Sequence, residues 1–182
     1  MIQTITLYQT VRYSEPRTSP IFATEEPWLG EGYYFWEHEI ENARHWGETH
    51  YNNQYSIYQS SYQNTEDGID LVDNYDDRER LEKDYQDIKR RVSELGRDKD
   101  VTLREVITLM QKNISKKIHY IRLESGTFFK DGKLQIKVPN RHYPLTFTTK
   151  RLVQVCFPCF PCQEIGLTDY RKYEDRIDPV FG

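Results

Sequence analysis

The stretch Gly30-Glu31-Gly32-Tyr33-Tyr34-Phe35 decides how the rest of the chain is read. Two glycines one residue apart let backbones approach closely, because neither carries a Cβ. Two tyrosines then offer flat faces on which a planar ring can stack. Pro27 to Gly32 reads as a turn-rich loop, and Tyr33 to Trp36 as a short strand. Behind it, Glu37 to Thr49 places Ile40, Ala43, Trp46 and Gly47 on one side at helical spacing. That helix can supply a second wall from His45 or Trp46. Ahead of it, Leu7-Tyr8-Gln9-Thr10 stands at the end of Gln3 to Tyr8, whose alternation reads as a first strand. Together these parts describe a slot for a nicotinamide or a nucleobase. A helix entry with Ala43 and Trp46 in the core accounts for the same residues without a ligand. The co-occurrence with Leu7-Tyr8-Gln9-Thr10 favours the slot.

These two segments resemble the poly(ADP-ribose) polymerase side of the ADP-ribosyltransferase superfamily. They are also similar to small bacterial relatives whose first strand ends in Leu-Tyr-His-Gly-Thr. The resemblance implies split antiparallel sheets with a helical hairpin, and NAD as substrate. Tyr34 matches the Tyr that stacks on nicotinamide, within a Gly-x-Gly-x-Tyr-Phe segment that here includes Gly32 and Tyr33. The second aromatic wall falls at His45 or Trp46. Gln9 falls where the family has the His that holds the nicotinamide ribose. Thr10 falls on the Gly whose backbone holds the carboxamide. The family's Glu lies on a late strand, where Gln154 matches it; Glu164, just beyond, competes for the role.

Both departures bear on chemistry. Gln for His keeps hydrogen bonding without the imidazole. Gln for Glu loses the carboxylate that orients the ribose hydroxyl and supports oxocarbenium-like character as nicotinamide leaves. The resemblance implies NAD-dependent mono-ADP-ribosyl transfer to a protein or nucleic acid, in a bacterial or phage toxin, effector or defence protein. An antitoxin or other regulatory partner belongs to the same expectation. The alternative is a catalytically degenerate module of the same fold that binds a nucleotide, an ADP-ribosylated partner or a nucleic-acid strand. Arg12 can meet the pyrophosphate, since guanidinium suits phosphate, although a surface Arg accounts for it more simply.

Composition sets the outer limits. A chain of 182 residues suits one domain, taken here as 1–182, and can bury a core without disulfides or metal. Tyr supplies 14 residues, nine of them between Tyr8 and Tyr75, which fits either half-buried strands or a stacking-rich cleft. The net charge of -4 hides a division. Ten Lys or Arg lie from Lys112 to Arg151 against Glu124 and Asp131, and ten acids lie from Glu66 to Asp87. An internal dipole, basic strands facing acidic helices, explains this better than a nucleic-acid stripe, because nucleic-acid binders show a basic balance overall. The three cysteines, Cys156, Cys159 and Cys162, are too few and too clustered for a disulfide framework. They read as small apolar residues rather than a metal site completed by His142 or a reactive thiol at Cys159. No apolar run could span a membrane and no leader is visible, so the cytoplasm is the expected location.

The remaining elements follow from periodicity. Ile21 to Thr24, Gln54 to Tyr62 and Gly68 to Val72 read as strands. Leu81, Tyr85, Ile88, Val92 and Leu95 form one helical face, with Gly96 as its cap. Thr102 and Glu105 form a capping box that opens a second helix, carrying Leu103, Val106, Ile107, Met110 and Ile114. The two helices form a hairpin. Strands return at His119 to Leu123, at Thr127 to Val138 around the turn signal Asp131-Gly132, at Leu145 to Thr148 and at Leu152 to Phe157. The order of elements predicts an α+β fold.

Overall fold

Strands buried on both faces build the sheet: every residue from Val153 to Phe157 is buried, and all but Tyr34 from Gly32 to Glu37. The computed structural model describes residues 4–14, 16–24, 29–63, 68–96, 100–113, 118–124, 129–130, 133–134, 153–158 and 168–177. The strands are β1 (Thr4–Arg12), β2 (Phe22–Ala23), β3 (Gly32–Glu37), β4 (Gln54–Gln63), β5 (Gly68–Asp70), β6 (Tyr120–Glu124), β7 (Phe129–Lys130), β8 (Lys133–Leu134), β9 (Val153–Phe157) and β10 (Thr168–Ile177). The helices are α1 (Ile40–His50), α2 (Tyr75–Glu94) and α3 (Leu103–Asn113). The main sheet runs β10-β4-β1-β3-β9-β6-β5, with β7 and β8 paired apart from it. The fold is α+β. The sheet is mixed, because β5 runs parallel to β6.

Strand β3 divides one of its edges between two neighbours. Leu7 and Tyr8 of β1 oppose Glu37 and Trp36, whereas Phe22 and Ala23 of β2 oppose Tyr33 and Gly32. Between those ladders β1 has left β3. The sheet is also strongly curled. Tyr62 on β4 and Tyr120 on β6 lie four strands apart, about 19 Å in a flat sheet. Their ring centroids nevertheless approach to 5.5 Å, and Tyr62 also meets Phe157 of β9 at 5.2 Å. Ile5, Leu7, Phe35, Tyr62, Val155 and Phe157 therefore share one concave core.

All three helices pack on the other face. Ala43 of α1 joins Trp36, Tyr55 and Ile57 in one cluster. Leu103, Val106, Ile107 and Met110 of α3 join Ile69, Ile121, Leu123 and Cys156 in another, with Leu81, Tyr85, Ile88 and Val92 of α2 against it. This is the helical hairpin expected from the spacing. The capping box is present: the Thr102 N–H donates to Glu105 at 2.9 Å, and the Glu105 N–H donates to the Thr102 hydroxyl at 3.3 Å.

Several boundaries differ from the sequence reading. β1 continues to Arg12, so Gln9 and Thr10 lie inside the strand rather than at its end. α1 starts at Ile40 rather than Glu37, because Glu37 still belongs to β3. α2 begins at Tyr75, six residues before the apolar repeat, because Asn74 accepts from the Asp76 and Asp77 N–H groups and those acids suit the positive end of the helix dipole. Leu95 is 68% exposed and not part of the buried face, since the helix has ended at Glu94. Strand β10 was not expected at all. Phe129 and Lys130 oppose Leu134 and Lys133, as the hairpin expectation required. Asp131, Gly132, Ile114 and the strand expected at Leu145 to Thr148 lie outside the described residues. Among the described residues no helix is long and apolar enough to cross a membrane.

Candidate functional site

Gln9, Tyr34 and Gln154 stand on three adjacent strands, β1, β3 and β9. Their side chains do not converge. Residues directly opposed in an antiparallel ladder share a face. Tyr34 opposes Cys156 and Trp36 opposes Gln154, which puts all four on the helix-bearing face. Gln9 follows Leu7 by two and lies on the concave face.

The Gln9 amide is wholly committed. Its Oε1 accepts from the Ile21 N–H at 2.9 Å and from the Tyr170 hydroxyl at 3.1 Å. Its Nε2 donates to the Ile21 carbonyl at 3.0 Å and to the Tyr34 carbonyl at 3.3 Å. The amide thus fills the gap left where β1 departs from β3. Thr10 is equally occupied, donating to the Ala43 carbonyl at 2.7 Å and so fixing α1 to the sheet.

Tyr34 is half-buried against the α2–α3 cluster. Its hydroxyl donates to the Gly30 carbonyl at 2.7 Å and accepts from the Leu29 N–H at 2.9 Å. Burial, then the neighbouring Cys156, hold the phenol well above its usual range, so it stays protonated. Gly30 has φ 98°, a conformation that glycine adopts without strain. A Cβ on Gly32 would stand 2.7 Å from both the Cys156 Sγ and the Phe157 carbonyl, so β3 and β9 could not approach this closely with any other residue. Tyr33 points the opposite way, into the concave core, with its ring edge on Phe22 at 5.0 Å.

Of the two residues expected to form a second wall, His45 is exposed and Trp46 is half-buried in a different cluster from Tyr34. Trp46 stacks on His50 at 3.6 Å and leans on Trp36 at 5.9 Å. Trp36 in turn opposes Gln154, which is buried with its Oε1 lacking any hydrogen-bond partner. Arg12 lies over the Tyr51 ring at 5.9 Å. Glu164, Cys159, Cys162 and His142 lie outside the described residues. Cys156 is a buried free thiol, pushed up to about 12 by desolvation. It therefore behaves as the apolar residue expected. Among the described residues no group of three metal-ligating side chains comes together.

The sequence reading missed a buried ion cluster on the concave face. Arg122 of β6 grips Glu37 in bidentate fashion, Nε to Oε2 at 2.6 Å and Nη2 to Oε1 at 2.7 Å. Its Nη1 reaches Asp70 at 3.0 Å and Asp73 at 2.5 Å. Burial alone would lower its proton affinity, but Glu37 and Asp73 hold it above the ordinary guanidinium range. Arg122 comes from the basic segment and Asp70 and Asp73 from the acidic one. These acids stand on β5 and in the turn after it rather than on an acidic helix facing a basic strand. Tyr62 lies beside this cluster with its hydroxyl buried and without a partner. Burial, then the nearby Glu37, raise its phenol.

No family model, curated protein or solved structure matches this chain.

Proposed function

We propose that this chain is an ADP-ribosyltransferase-like domain that binds a nucleotide of the NAD type without transferring ADP-ribose. One observation carries the reading. The positions where the resemblance expects His and Glu hold two neutral amides, and the one on Gln9 is already committed to four hydrogen bonds. A neutral amide cannot balance the positive charge that develops as nicotinamide departs. The departure of β1 from β3 after Tyr8, and the packing of α2 with α3, support the split-sheet architecture with its helical hairpin.

The transferase itself is the second reading. It is favoured by the register that puts Tyr34 and Gln154 on one face, two residues apart. The acceptor would then be a protein or nucleic acid, and a toxin, effector or defence role with a restraining antitoxin would follow.

Labelled NAD separates the two. The protein, Tyr34→Ala and Gln154→Ala are each incubated with NAD and a cell extract, and binding is measured alongside. Saturable binding without label transfer or nicotinamide release is the expected outcome. Turnover that disappears in Tyr34→Ala establishes the transferase instead. Absence of NAD binding in the wild type removes both readings.

A further inference from the structure

We propose that the outer edge of β10 is a docking surface for a second copy of this chain, added antiparallel about a two-fold axis. Among the described residues β10 has β4 as its only strand neighbour, so the other edge of a ten-residue strand meets no ladder. Arg171 to Ile177 are exposed except at Glu174, with Tyr173 at 50% and Ile177 at 51%. Such an edge is a template for another strand, and charges and bulges are the devices that turn strands away. β10 carries both devices, and together they admit one kind of strand.

The bulge sets the first condition. Lys172 opposes Tyr58 and Glu174 opposes Ile57, so Tyr173 is an extra residue. Opposed residues share a face, and faces alternate along a regular strand. Lys172, Asp175 and Ile177 oppose Tyr58, Ser56 and Gln54 on the concave face, where Tyr170 also stacks on Tyr58. Arg171, Glu174 and Arg176 oppose Gln59, Ile57 and Tyr55 on the helix-bearing face. Tyr173 lies on that face too, its ring against Tyr8 at 5.7 Å, beside Glu174, which holds Arg44 of α1 at 2.7 Å. Two successive residues therefore point the same way. A regular strand laid along β10 would match its faces on one side of Tyr173 and mismatch them on the other. A second β10, reversed, sets Tyr173 opposite Glu174 and Glu174 opposite Tyr173. Bulge then meets bulge, and the faces agree from Tyr170 to Ile177.

The charges set the second condition. In this register Lys172 opposes Asp175 of the second copy, and the two-fold axis repeats the pair. Lys172 already meets its own Asp175 at 2.5 Å, so the four groups close a ring of alternating sign. Ile177 opposes Tyr170 of the second copy, an apolar pair. Arg171 opposes Arg176, whose charge Glu48 balances at 2.6 Å. Opposite charges directly across a ladder stabilise it and like charges weaken it. Three acids and three bases lie between Thr168 and Ile177, so no net charge on the strand resists the pairing. A contact made by one patch with itself closes at two chains. The pairing needs no ligand and is independent of the functional reading above.

Exchanging the signs tests the register. In sedimentation equilibrium the wild type is expected to rise from 21.9 kDa toward twice that mass as concentration increases. Lys172→Asp sets acid against acid across the axis, and Asp175→Lys sets base against base. Each variant alone is expected to self-associate at least about tenfold more weakly than the wild type. Mixed in equal amounts, the two are expected to associate with each other, because opposite signs again meet at both positions. A wild type that stays at 21.9 kDa up to about 1 mM overturns the proposal. Variants that self-associate like the wild type, or a mixture that stays apart, overturn it as well. If Asp175→Lys does not fold, because the buried Ser56 hydroxyl loses its acceptor, amide exchange in the wild type decides the matter. The β10 amides should gain about tenfold protection between dilute and concentrated protein, and exchange that ignores concentration overturns the pairing.

Discussion

The two flanks of the curled sheet bury their polar groups by opposite means. On the β6–β5 flank, Arg122 is enclosed by Glu37, Asp70 and Asp73, so full charges meet at 2.5–3.0 Å. On the β1–β10 flank, Gln9 is enclosed by backbone groups and one phenol, so a neutral amide does the joining. The charged cluster ties β3 to β6 and β5, and loss of Arg122 strands the buried Glu37. The amide joins β1, β3, β10 and the residue before β2 through neutral groups, so its loss strands no charge.

Breaking the charged flank should give the largest effect. Arg122→Met leaves Glu37, only 2% exposed, without its bidentate partner. Stranding one member of a buried pair costs about 3–5 kcal/mol, read from urea unfolding. Adding Glu37→Leu should recover much of that loss, because two apolar residues need no pairing. A loss below about 1 kcal/mol for Arg122→Met would mean that the cluster behaves as a surface pair and the comparison fails. On the other flank, Gln9→Glu removes both donors while preserving size. The Ile21 and Tyr34 carbonyls lose a partner, which costs about 1–3 kcal/mol. The pH dependence fixes the cause. Burial raises the new carboxyl above its unfolded value, so the folded state holds the proton more tightly, and stability falls as pH rises through that range. A pH-independent loss would point to shape instead of protonation.

What the sequence conveyed was local. The Thr102–Glu105 capping box, the apolar faces of α2 and α3, and the strand at Tyr33 to Trp36 depend on neighbours within one or two turns. The ion cluster was hidden because Arg122 and Glu37 are 85 residues apart, although the division of acids and bases hinted at it. The Gln9 partners were hidden for the same reason, since Tyr170 is 161 residues away. Strand β10 escaped because Thr168–Ile177 shows no apolar alternation. It is an edge strand with register shifts between Thr168 and Arg171 and between Lys172 and Glu174, exposed from Arg171 to Ile177 except at the half-buried Glu174, and charge is what such an edge carries. For the expected slot, the sequence did not convey which way its residues point. Tyr33 and Tyr34 differ by one position and therefore serve opposite faces, and Gln9 is separated from Gln154 by the sheet itself.

Gln154 offers the smallest change and the sharpest contrast with Gln9. Both glutamines are about equally buried, at 6% and 5% exposed. One satisfies every polar atom, whereas the other holds a carbonyl oxygen without a partner. An unmet buried acceptor destabilises its fold, and removing it is neutral or favourable when shape is kept. Gln154→Met retains length between Trp36 and Leu123, its two cross-strand neighbours. Thermal unfolding should show no loss, and a gain of up to about 1 kcal/mol. The matching Gln9→Met variant should lose stability, because four partners are abandoned at once. Stabilising changes made inside a binding site commonly cost function. A gain in stability for Gln154→Met together with weaker NAD binding would therefore mark Gln154 as the functional amide and Gln9 as the structural one. Equal losses from the two variants would erase the distinction between them.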